Sequence, residues 1–193
     1  MSQSPTIYPK LKKNYQGHDC ELINKAVSNK KGDLYLHLFS RDLSQTITHS
    51  QITANPCPTS EEDLFLLRTD RIIVTTLDDE ITPYTKANLH NLLVKVDVDG
   101  EDATVMEGMA SIAPHTAMLI VECPTHKLNE RFLVADLLGF DIFDITSPGY
   151  YYNQLSQVDV FFVNRVLKAN LQSLNPWRAA EGKLDWNQWI HFS

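Results

Sequence analysis

The sequence predicts an α/β domain built on a mostly parallel sheet, and three observations predict it. From about residue 92 onward, apolar runs of strand length alternate with segments of helical periodicity. The runs "NLLVKVDV" and "TAMLIVEC" are almost continuously apolar, as strands covered on both faces are. The chain has 193 residues, which favours one domain and allows a core without covalent staples.

Each element has a local reason. "YPKLKKNY" reads as a short helical segment ending near Asn14. "CELINKAVS", Cys20 to Ser28, reads as a strand, and "NKKG" closes it as a turn at Gly32. "DLYLHLF" alternates apolar and polar residues, the pattern of a half-buried strand. Residues 40–62 are polar, with Pro56 and Pro58 around Cys57, and form a long loop. "RIIVTTLDD" is a strand that pairs antiparallel with "DLYLHLF" across that loop. After "NLLVKVDV", Ala103, Val105, Met106, Met109 and Ile112 recur at helical spacing. "NERFLVADLLGF" is an amphipathic helix closed by Gly139. "DIFDI" is a short strand, "GYYYNQL" an aromatic loop and "QVDVFFVNR" a last strand, followed by the helix-like "VLKANLQSL". Trp177, Trp186 and Trp189 serve to anchor the tail to the body or to a second copy in a homo-oligomer.

Composition narrows the partners. Net charge is −7, and Lys10, Lys12 and Lys13 are the only dense basic patch. That excludes the basic footprint of a nucleic-acid binder and reads as a solvated helix face. Cys20, Cys57 and Cys123 are widely spaced with no C-x-x-C pair, which argues against a zinc or redox motif and fits a reducing compartment. No apolar run is long enough to cross a bilayer, and the first fifteen residues have no apolar signal core. The expectation is a cytoplasmic protein.

The stretch "LLVKVDVDGEDATVMEGM", Leu92 to Met109, concentrates the chemistry. Asp97, Asp99, Glu101 and Asp102 crowd one glycine at the mouth of a buried strand. In open α/β sheets ligands sit outside the carboxyl ends of the strands. Carboxylates gathered there repel one another unless a cation, a ligand or solvent relieves them. A calcium loop does not fit: counted from Asp97, Gly100 is fourth rather than sixth, and position twelve is Gly108 rather than Glu. The bland reading is that Asp99 and Asp102 cap the following helix and complement its dipole.

These residues also resemble a known family. "LLVKVDVDGEDATVMEGM" is similar to the K-I-D-V-E-G-x-E segment of the FkbM family of S-adenosylmethionine-dependent methyltransferases. "ELINKAVSNKKGDLYL" resembles its N-x-A-V-S-x-x-x-G strand and turn, "VTTLDDEI" its T-L-D-D segment, and "AMLIVEC" its strand ending in Glu. All four occur in the family's order, over roughly residues 5–165. Asp99 stands where the family has Glu, Glu101 where a small residue is common, and Asp102 where the final acid is Glu. There is no G-x-G anywhere, and "SPTIYPKLKKN" resembles the stretch that follows the family's two cofactor-binding strands.

The resemblance implies a Rossmann-like class I methyltransferase fold, truncated at the N-terminus, with an antiparallel C-terminal strand. It leaves two vacant strand places between 20–28 and 92–98. It implies O-methylation of a hydroxyl on a small molecule or glycan. Asp97 and Asp99 would line the pocket near the transferred methyl, with Asp102 supporting them. Ser28 and Asn29 would lie near the adenine of S-adenosylmethionine, and Glu122 would face the acceptor. Tyr150, Tyr151 and Tyr152 could wall the acceptor pocket or pack on the surface. His90 and His115 flank the central strands as conceivable bases, or as structural residues. The missing glycine-rich turn raises the other function class, a non-catalytic binding module on the same fold.

Overall fold

The computed structural model describes residues 7–41, 47, 49–58, 64–85, 91–98 and 101–167. Asp99, Gly100, His90 and the three tail tryptophans lie outside the described residues.

Helix α1 (Ile7–Asn14) comes first, and Tyr8 Oη donates to Leu22 O at 2.9 Å. A four-stranded sheet follows. It contains β1 (Ala26–Val27), β2 (Gly32–Ser40), β3 (His49–Thr53) and β4 (Phe65–Thr75), in the order β1-β4-β2-β3. Strands β2 and β4 pair antiparallel, as their alternation predicts. The polar loop between them contributes β3 to the other side of β2. The expected strand from Cys20 to Ser28 shrinks to Ala26–Val27, because only those two residues find a partner, parallel β4. Helix α2 (Leu77–Thr85) then starts with three acids, Asp78, Asp79 and Glu80, which complement its dipole.

The second sheet holds β5 (Leu92–Val96), β6 (Thr116–Pro124), β7 (Phe140–Tyr151) and β8 (Gln154–Asn164), in the order β5-β6-β8-β7. Helix α3 (Asp102–Glu107) connects β5 to β6, which run parallel. Helix α4 (Leu128–Leu137) connects β6 to β7. Gly139 follows α4 at φ +88°, a conformation that a side chain would strain. Strand β8 is antiparallel to both neighbours, so the antiparallel C-terminal strand is present.

Two expectations change. Of the six strand pairings among the described residues, two are parallel and four antiparallel, so the described architecture is two mixed sheets rather than one mostly parallel sheet. The aromatic loop is strand. Tyr150 and Tyr151 pair with β8, and Tyr152 and Asn153 turn the hairpin with φ of 49° and 61°. A two-residue turn with both φ positive matches the twist of the strands it joins.

The core lies between one face of the second sheet and α3 and α4. It is made of Val96, Met106, Met109, Leu119, Phe140 and Phe162, among others. Among the described residues no helix is long and apolar enough to cross a membrane.

The first sheet reaches this core through Val27, Leu77 and Ile81. The joint is polar as well. Asp78 N donates to Gly108 O at 2.9 Å. The Asp78 carboxylate accepts from Ser111 N and Ile112 N at 2.9–3.0 Å. Gly108 is required here. A Cβ on it would stand 2.3 Å from Ser28 O, a backbone atom with no rotamer to yield.

Replacing Gly108 with Ala should therefore cost about 1–3 kcal/mol, read as a lower urea midpoint at unchanged slope. A second test concerns the thiols. Burial pushes the Cys123 thiol up to about 12, whereas Cys20 and Cys57 are exposed. At pH 8 a disulfide reagent should modify Cys20 and Cys57 in the native protein and reach Cys123 only after denaturant is added. Equal rates at all three would contradict this packing.

Candidate functional site

The candidate site begins with α3, because α3 decides which sequence motifs meet. A parallel crossover leaves the carboxyl end of one strand and returns to the amino end of the next. Asp97 therefore sits on the rim where β5 ends, and Asp102 starts α3 there. Gly108, six residues on, lies toward the opposite rim, about 9 Å along the helix.

The two acids on the first rim have different surroundings. Asp97 is half-exposed and accepts from Lys95 Nζ at 2.7 Å, its neighbour on the same face of the strand. Asp102 is buried. Its Oδ2 accepts from Arg131 Nη2 at 2.9 Å, with both side chains at 2 % exposure or less. Its Oδ1 accepts from Val98 N at 3.3 Å. Asp102 thus reaches back to the turn before the helix. No side chain caps α3 at Glu101.

Glu122 lies two residues before the end of β6, on the same rim. Gln157 Nε2 donates to it at 2.6 Å, and its cross-strand partner is Asp159. Two carboxylates directly opposite each other repel. Lys95 relieves them: hydrogen bonding to Asp97 raises its pKa first, and the fields of Asp97, Asp159 and Glu122 add to the rise. The rim is therefore an acidic patch with one lysine at its centre. Its acids accept hydrogen bonds from hydroxyls and oppose positive charge, which suits a ribose and a sulfonium. Among the described residues no group of three or more His, Cys, Asp or Glu is placed to hold a metal ion.

Ser28 and Asn29 lie elsewhere. Asn29 Nδ2 donates to Glu107 Oε2 at 2.7 Å, and Ser28 O packs against Gly108. Both stand at the far end of α3 from Asp97. The carboxyl ends of β1 and β4 thus face the amino end of β6, not the carboxyl end of β5. Tyr151 Oη accepts from Arg41 Nη1 at 3.0 Å, and its ring meets Tyr152 edge to face at 4.5 Å. His115 ends the short turn before β6 and is half-buried.

A cleft of about 560 Å³ opens beside the first sheet. It is lined by Lys25, Lys31, Asp33, Thr75, Asp79 and Glu80, among others. Lys25 pairs with Glu80 at 2.6 Å, and Lys31 with Asp79 at 2.7 Å. The hydrogen bond from Lys31, then that from Thr76, holds Asp79 below the usual carboxylate range. Lys25 and then Thr75 do the same for Glu80. The candidate residues Asp97, Asp102, Glu122 and Tyr151 do not line this cleft.

Sequence reasoning missed Lys95, Arg131 and Asp159. Lys95 has a signal in hindsight: it sits two residues before Asp97, so a strand puts both on one face. Arg131 has one too. It lies three and four residues before the buried Val134 and Ala135, on the apolar stripe of α4. Asp159 has none, because its place opposite Glu122 is set by strand register.

Compared with known proteins, the chain matches no protein-family description and no curated protein. Solved structures to which it is similar include two that share one name. The first is the M1.HpyAVI–SAM complex, at 16 % identity and a TM-score of 0.36, covering 45 % of this chain and 49 % of that one. The second is M1.HpyAVI, at 15 % identity and a TM-score of 0.37, covering 48 % of this chain and 55 % of that one. The chain thus spans about half the length of the solved structures it resembles.

Proposed function

We propose that this chain is a methyltransferase-like domain whose ligand rim lies at the carboxyl ends of β5 and β6, with S-adenosylmethionine as methyl donor. The acceptor in this reading is a hydroxyl on a small molecule or glycan. The observation that carries it is the β5–α3–β6 unit. It is a parallel strand–helix–strand crossover with Asp97 and Glu122 on its carboxyl rim. That is where open α/β sheets bind ligands. The motif residues of the FkbM-like segment fall on this unit.

Bound S-adenosylmethionine would supply an electrophilic methyl group. The chain's own residues would position and deprotonate. Asp97, with Asp99 beside it in sequence, would take hydrogen bonds from donor or acceptor hydroxyls and accept the proton of the reacting one. Glu122, held by Gln157, would orient the acceptor. Tyr151, on the strand that extends past β6, would wall the acceptor side.

A second reading, a non-catalytic binding module, is favoured by one observation. Ser28 and Asn29 stand across α3 from Asp97, so the residues matched to adenine binding and methyl transfer do not share a rim.

Calorimetric titration with S-adenosylmethionine and S-adenosylhomocysteine separates the two. The methyl-donor reading expects saturable binding to the native chain. It expects binding at least tenfold weaker in Asp97→Ala at unchanged circular dichroism. No binding at millimolar ligand would leave the module reading standing.

A further inference from the structure

The buried pair Asp102–Arg131 is the strongest feature not explained by the sequence motifs. Arg131 has no exposed surface, and its charged partners are Asp102 at 2.9 Å and the more exposed Glu130. Burying two charges costs several kcal/mol each before their attraction returns it. Apolar residues of the same size often do as well or better in such a place. Core stability alone is therefore a weak reason for the pair.

Its geometry suggests a better one. Arg131 holds Oδ2 of Asp102, which leaves Oδ1 aimed at the amide of Val98. Val98 O in turn accepts from Glu101 N at 2.9 Å, closing the turn. A chain of hydrogen bonds thus runs from the interior of α4, through the first residue of α3, to the backbone that carries Asp97. Glu101 makes no side-chain cap, so the tie from Asp102 does the fastening here.

We propose that Asp102 and Arg131 are positioning residues that fix the backbone of the rim at Val98 and Glu101 rather than the stability of the core. Arg131 suits this task because its planar guanidinium reaches two carboxylates at once, Nη2 to Asp102 and Nη1 to Glu130, in a fixed geometry that a lysine point charge lacks. Asp102 acts on the rim through the Val98 amide and does not itself reach solvent. The functional meaning rests on the reading of the rim as a ligand site, whereas the ordering is measured on the chain without any ligand.

The test is amide hydrogen exchange combined with urea unfolding. In the double variant Asp102→Leu/Arg131→Met, the urea midpoint should stay close to the parent. Exchange at Val98 and Glu101 should quicken at least tenfold, while Leu119 and Val121 in β6 stay protected. Arg131→Lys keeps the charge and loses the fork, and should quicken the same rim amides by a smaller factor. Unchanged rim exchange in either folded variant overturns the proposal. So does a double variant that fails to fold while Arg131→Lys folds with parental rim exchange, since the pair would then be holding the core. Loss of S-adenosylmethionine binding is not a readout here, so failure of the methyl-donor reading leaves the result intact.

Discussion

Helix α3 is the constraint on which the rest of this structure depends. It is short, and its Asp102, Ala103, Val105 and Met106 are all buried. One end is fastened by a buried ion pair to α4, the other by backbone contact to the strand and helix of the first sheet. Its buried Ala103, Val105 and Met106, rather than the ion pair, keep it seated in the core. The positions of both sheets follow from it.

The first sheet meets the second chiefly around the end of α3, with a further contact from Arg41 to Tyr151 of β7. Strands β1 and β5 are each the last strand in their sheet's order among the described residues. Strand edges left open expose backbone donors and acceptors, which water must then satisfy. β5 blunts its own edge with Lys95 and with its five-residue length. The arrangement also separates the two polar regions. The acidic rim of Asp97, Glu122 and Asp159 lies at one end of α3. Ser28, Asn29 and Asp78 lie at the other.

This separation sharpens the functional question. A ligand on the rim would meet carboxylates, one lysine and the aromatic hairpin carrying Tyr151. A ligand in the cleft by Lys25 and Lys31 would meet two ion pairs already closed on themselves. Paired charges on a surface contribute little and offer little to a newcomer, because their hydrogen-bonding capacity is partly spent. The rim differs in carrying like charges side by side, with Glu122 and Asp159 set opposite each other across a strand pair.

Much of this was legible in the residues themselves. Alternation located β2, helical spacing located α4 and continuous apolar runs located β5 and β6, whereas the strand expected at 71–79 is β4 only to Thr75, its last residues opening α2. The acids around Gly100 marked the end of β5, but the near-continuous apolar run hid that one face of β5 is open, with Leu93 and Lys95 exposed. What the sequence could not determine was pairing. The run from Cys20 to Ser28 has strand-like residues but only two places where a partner's hydrogen-bonding edge is available. The tyrosines at 150–152 look like a loop until β8 supplies an edge beside them. Arg131 reads as one more charge on a helix until the fold encloses it against Asp102. Local sequence determines which face of an element is apolar. Only the folded chain decides which edge meets which, because that choice rests on contacts between residues far apart in sequence.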